Sequence, residues 1–88
     1  MATKLIKVGE YGYQPYFRLT TRTNDVIVET LDINRQRVDI RAFAFESSDH
    51  FVNYIEENST CYYGSKASEW LFHTKEWKAS FKKPQYTW

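Results

Sequence analysis

The stretch Tyr16–Phe45, YFRLTTRTNDVIVETLDINRQRVDIRAFAF, decides how this chain folds. It holds three runs rich in β-branched and aromatic residues, separated by turn-forming polar residues. In the first, Tyr16–Thr23, the residues Phe17, Leu19, Thr21 and Thr23 share one face, and Tyr16, Arg18, Thr20 and Arg22 share the other. Asn24-Asp25 marks a turn. Val26–Ile33 follows, with Ile27, Leu31 and Ile33 on one face. Asn34-Arg35-Gln36 marks the next turn. Arg37–Phe45 sets Val38, Ile40, Ala42 and Ala44 against Asp39, Arg41, Phe43 and Phe45. Connections this short join antiparallel neighbours, so the three runs form a meander. The mixed second face of the last run, with Arg41 beside Phe43, points to a sheet face that is only partly covered.

Working outward, Lys4–Val8 reads as a short edge strand, and Gly9, Gly12 and Pro15 punctuate the loop EYGYQP. On the other side, Ser47-Ser48-Asp49 offers an N-cap, and Phe51, Val52, Tyr54 and Ile55 fall at helical spacing up to Glu56-Glu57-Asn58. STCYYG reads as a loop. Ser65 is a cap for a second helix over Lys66–Lys82, with Trp70, Thr74, Trp77 and Phe81 on one stripe and Leu71 beside it. Pro84 ends it. The expected fold is α+β: an antiparallel three- to four-stranded meander followed by two helices packed on one face. It forms a single domain over residues 1–88, with 83–88 a short C-terminal tail.

Sixteen of the 88 residues are Phe, Trp or Tyr, more than a core of this size needs, so some rings are expected at a binding surface. Net charge is +1. A dedicated duplex-DNA binder is usually more basic, and a nucleic-acid mimic far more acidic. By segment the charge runs +3 over residues 1–24, −1 over 25–45, −4 over 46–65 and +3 over 66–88. One cysteine, Cys61, excludes an internal disulfide and suits a reducing cytoplasm. The N-terminus lacks the apolar stretch of a signal peptide, and no run is long enough to cross a membrane.

No catalytic, metal or nucleotide motif is present. Cys61 with His50 or His73 lacks the local charge that would make a nucleophile, and one Cys with two His falls short of a zinc site. Glu56-Glu57 and the Asp25–Glu29 pair read as solvated carboxylates, and Gly9, Gly12 and Gly64 match no phosphate loop. The expectation is a protein that is not an enzyme and uses no cofactor and no metal.

The binding candidates are the loop tyrosines Tyr11, Tyr13 and Tyr16 and the arginines Arg18, Arg22, Arg35, Arg37 and Arg41. Tyrosines anchor interfaces, and arginines grip carboxylates or phosphates through a planar fork. Asp32, Asp39 and Glu29 alternate with these arginines, so cross-strand ion pairing accounts for most of the pattern. Trp70, Trp77 and Trp88, interleaved with Lys75, Lys78, Lys82 and Lys83, make a second aromatic-basic segment.

The arginine-studded hairpin VIVETLDINRQRVDIRAFAF, the capped helix SSDHFVNYIEEN and the small size without disulfides resemble small phage-encoded inhibitors of the anti-CRISPR type. The resemblance covers roughly residues 16–58, is architectural, and carries no residue roles; the near-neutral charge departs from the strongly acidic members of that group. It implies stoichiometric blocking of a larger host protein or protein complex in the host cytoplasm. The second reading is a small nucleic-acid-binding module using the same aromatics and basic residues. A homodimer through an aromatic patch or edge strand is compatible with either.

Overall fold

The computed structural model describes residues 2–7, 16–59 and 61–81, and of Cys61 and Phe81 the backbone alone. Four strands, β1 (Thr3–Lys7), β2 (Tyr16–Thr21), β3 (Asp25–Leu31) and β4 (Arg37–Ala44), form one antiparallel sheet in the order β1-β2-β3-β4. A 3-10 turn (Phe45–Ser47) leads into three helices: α1 (Ser48–Glu57), α2 (Cys61–Phe72) and α3 (Lys75–Phe81). The α+β meander expected from the sequence is therefore present, with β1 at one edge.

The turns fix the register. Arg22 N donates to Asp25 O at 2.8 Å, and the Arg22 guanidinium grips the Asp25 carboxylate, closing β2 onto β3. Between β3 and β4, Asp32 N donates to Gln36 O and Arg35 N to Asp32 O, both at 2.9 Å. The Asp32 carboxylate accepts from the N–H groups of Asn34 and Gln36. Arg35 sits in the left-handed region at φ 62°, the place a three-residue hairpin loop normally gives to glycine. A register irregularity at Thr30/Leu31 accompanies this turn.

One face of the sheet is core. Phe17 and Leu19 of β2 and Val26 and Val28 of β3 are buried under Phe51 and Ile55 of α1 and Ala67 and Leu71 of α2. Two buried threonines are satisfied. Thr21 Oγ1 accepts from Ala2 N and donates to Glu76 of α3, each at 2.9 Å. Tyr54 gives its proton to Asp39 at 2.7 Å, so Thr30 donates to the Tyr54 oxygen at 3.2 Å. Gly64 lets α2 approach α1: a Cβ there would lie 2.3 Å from Glu56 Cγ.

The structure corrects the helical half. The segment STCYYG is not all loop, because α2 begins at Cys61. The helix expected over 66–82 breaks at His73-Thr74. There Thr74 Oγ1 accepts from Trp77 N at 3.3 Å, a cap that starts α3. The buried stripe is Ala67, Leu71 and Thr74, one position round from the expected one, so Trp70 and Trp77 lie only partly buried at the core's margin. Ser47 occupies the N-cap of α1, but its side chain makes no capping bond; the chain enters from the 3-10 turn, which buries Phe45. Lys82 and the C-terminal tail lie outside the described residues.

Candidate interaction face on the open side of the sheet

Alternation along β4 runs opposite to what its composition suggests. The residues directed toward the helices are Phe43, Arg41 and Asp39, since they pair with Val26, Val28 and Thr30 of the covered face. Phe43 packs on Phe51 and Tyr54 with ring centroids 6.1 and 5.5 Å apart. The apolar set Val38, Ile40 and Ala42 is left exposed, Ile40 by 47% and Val38 by 48%.

The face away from the helices is organised in cross-strand rows. Leu5, Arg18, Glu29 and Ile40 form the central row, from β1 to β4. Thr3, Thr20, Ile27 and Ala42 form a second row, and Lys7, Tyr16, Leu31 and Arg37 a third. Leu5 and Ile40 are both more than 40% exposed, so the central row presents an ion pair between two bare aliphatic side chains. Leu31, which pairs with Tyr16, is buried.

Glu29 is the hub. Arg18 Nε and Nη2 reach its two carboxylate oxygens at 2.8 and 2.9 Å, and Arg37 Nη1 approaches at 3.5 Å. The Arg18 hydrogen bonds hold the Glu29 carboxyl below the usual carboxylate range, against the opposing effect of burial. Arg18 is raised in turn by Glu29. At the turn, Arg22 lowers Asp25 in the same way.

At the third row the cations are in excess. The Arg35 guanidinium, from its left-handed turn position, lies 5.1 Å over the Tyr16 ring. Lys7 is exposed and has no carboxylate partner among the described residues. Lys7, Arg35 and Arg37 thus gather positive charge at this end of the sheet, where Arg37 shares the one Glu29 carboxylate with Arg18.

Of the expected site residues, Tyr16, Arg18, Arg35 and Arg37 share this region, and Arg22 sits at the β2–β3 turn. Arg41 does not join them. Sheet alternation puts it on the helix side, 5.5 Å over the Tyr54 ring and 3.3 Å from the Asp39 carboxylate. Tyr54 lowers Asp39 by hydrogen bonding, while burial raises Tyr54 itself. Tyr11 and Tyr13 lie outside the described residues. Sequence reasoning missed Leu5 and Ile40; it named Glu29 as an ion-pair partner of the arginines but not as the shared partner of Arg18 and Arg37. The signal for Glu29 was available: a two-residue turn at Thr23-Asn24 puts Glu29 opposite Arg18.

His50 and His73 are exposed, and the Cys61 side chain is not described. Among the described residues no group of three or more His, Cys, Asp or Glu side chains is placed to hold a metal. No described helix is long and apolar enough to cross a membrane. No family model matches the chain, and no curated protein or solved structure matches it either.

Proposed function

We propose that this chain is a small non-catalytic interaction protein that binds and blocks a larger host protein or defence complex through the open face of its sheet. The observation that carries the reading is the central row, where Leu5 and Ile40 stand exposed on either side of the satisfied Arg18–Glu29 pair. An interface core wants apolar area without unpaired charge, and this row offers both. The excess of cations around Tyr16 supports a partner of matching chemistry: a protein surface with an apolar centre, bordered by carboxylates at the end that meets Lys7, Arg35 and Arg37. The resemblance to small phage inhibitors fits blocking rather than catalysis. The nucleic-acid reading is weaker, because Arg18 and Arg22 are committed to Glu29 and Asp25 rather than free for phosphates.

The test is affinity capture from host lysate, with and without nuclease, using the native chain beside Ile40→Glu and Tyr16→Ala. A stoichiometric protein that survives nuclease and is lost from both folded variants supports the reading. Replacing interface anchors costs about 2 kcal/mol or more, and a carboxylate at position 40 also repels an acidic rim. Capture of nucleic acid alone, with a steep salt dependence, overturns it in favour of phosphate binding.

A further inference from the structure

A second surface lies along the outer edge of β1; it shares Leu5 and Lys7 with the open face and is otherwise built from α2. A groove of about 610 Å³ runs between the outer edge of β1 and one side of α2. Its floor and near wall are residues 4–7 of β1; the far wall is Tyr62, Tyr63, Lys66, Glu69, Trp70 and His73.

The backbone of β1 is half used. Thr21 N donates to Ala2 O, which makes Ala2 and Thr21 a hydrogen-bonded pair. In an antiparallel ladder such pairs alternate, so Lys4 pairs its N–H and C=O with Leu19, and Ile6 with Phe17. Thr3, Leu5 and Lys7 therefore direct theirs away from β2. No described residue bonds to them, and this row of free donors and acceptors borders the groove. A free strand edge is a template for another strand.

The side chains add selectivity. Tyr62 and Tyr63 stack edge to face with centroids 5.1 Å apart, and Lys66 Nζ lies 5.3 Å over the Tyr62 ring. Trp70 contributes apolar wall, packed partly against the core. Charge is lopsided: Lys4, Lys7 and Lys66 face one acid, Glu69. We propose that this groove binds an extended, carboxylate-bearing peptide segment, which adds as a fifth strand to β1 and sets alternate side chains against Tyr62, Lys66 and Trp70. Strand addition draws affinity from main-chain hydrogen bonds and specificity from pockets at alternate positions. A nucleic-acid strand would find the lysines and rings but has no peptide backbone to satisfy Thr3, Leu5 and Lys7, so the peptide is the better match.

The experiment uses the full chain and a fluorescein-labelled peptide of sequence EVEVEV, read by anisotropy. Its controls are KVKVKV, an EVEVEV peptide N-methylated at alternate amides, and oligothymidine as competitor. Binding of EVEVEV is expected to exceed that of KVKVKV and of the N-methylated peptide by roughly tenfold. Lys66→Glu should reverse the preference between the two charge patterns. Leu5→Pro removes an outward N–H that β2 does not use, so the strand tolerates it while peptide binding falls by about tenfold. Ile40→Glu, on the open face, should leave peptide binding unchanged, which separates failure here from failure of the proposed function. If Leu5→Pro lowers the melting midpoint sharply, the N-methylated peptide carries the backbone test alone. Equal binding of the acidic and basic peptides, indifference to N-methylation, displacement by oligothymidine, or no saturable binding would overturn the proposal.

Discussion

The two faces of one sheet use the same alternation to opposite ends. On the helix side, β2 and β3 bury Phe17, Leu19, Val26 and Val28 almost completely. On the other side, Leu5, Val38 and Ile40 remain more than 40% exposed. β4 shows why composition alone misleads: its helix-facing set includes Asp39 and Arg41, and its more uniformly apolar set faces away. Alternation says which residues share a face; it carries no sign saying which face is covered. The sign comes from what can be satisfied. Asp39 and Arg41 are tolerated near the helices because Tyr54 supplies a proton to one and a ring face to the other.

The strongest way to break this comparison is to truncate one residue on each face. Phe51→Ala removes a fully buried ring that packs on Phe43 and should cost about 3–5 kcal/mol. Ile40→Ala, at a half-exposed position, should cost no more than about 1 kcal/mol. Chemical denaturation of both variants measures the contrast, and equal losses would mean that the open face is structural. Next in size is Gly64→Ala. The added methyl must displace the Glu56 side chain at its Cγ, so a loss of about 1–2 kcal/mol is expected, and Glu56→Ala should recover most of it in the double variant.

Arg35→Gly sharpens the comparison from the other direction. It relieves a left-handed arginine and should raise stability by about 1 kcal/mol, while loosening the cation over Tyr16 and, under the proposed function, weakening partner binding. A thermal melt beside a binding titration reads both signs; a loss of stability would show that the Tyr16 contact outweighs the strain.

The smallest effect is on pH. Glu29 has a lowered pKa when folded, so its pairing stabilises fully above the ordinary carboxyl range and fades as pH falls through the lowered value. Arg18 is well exposed, and solvent screening keeps the contribution under about 1 kcal/mol. Glu29→Gln should flatten stability against pH below about pH 5 and leave it nearly unchanged in high salt.

Much of the fold was legible because its signals are local. Alternation in YFRLTT and DVIVETL, a turn signal at Asn24-Asp25 that falls one residue late of the observed Thr23-Asn24 turn, and the spacing of Phe51 and Ile55 all act within a few residues. The break at His73-Thr74 was hidden because Thr74 lies in phase with Trp70 and Trp77, and only its cap to Trp77 N reveals a new helix start. The site was half legible. Arg18, Arg35, Arg37 and Tyr16 could be read as binding types, but the removal of Arg41 depends on the β3–β4 register, and the exposure of Ile40 on where the helices settle.

The meander also bears on how quickly the molecule forms. Each strand pairs with its neighbour in sequence, so from β2 to β4 the ladder is built by closing loops of a few residues, whose entropic cost is small. Sheets assembled this way reach their pairing sooner than those requiring distant strands to meet. The bond from Thr21 to Glu76 spans 55 positions in the chain. A contact of that separation is expected to form late, as α3 docks onto the sheet, so weakening it should speed unfolding and leave the folding rate nearly untouched, an outcome that folding and unfolding rates measured against denaturant would check.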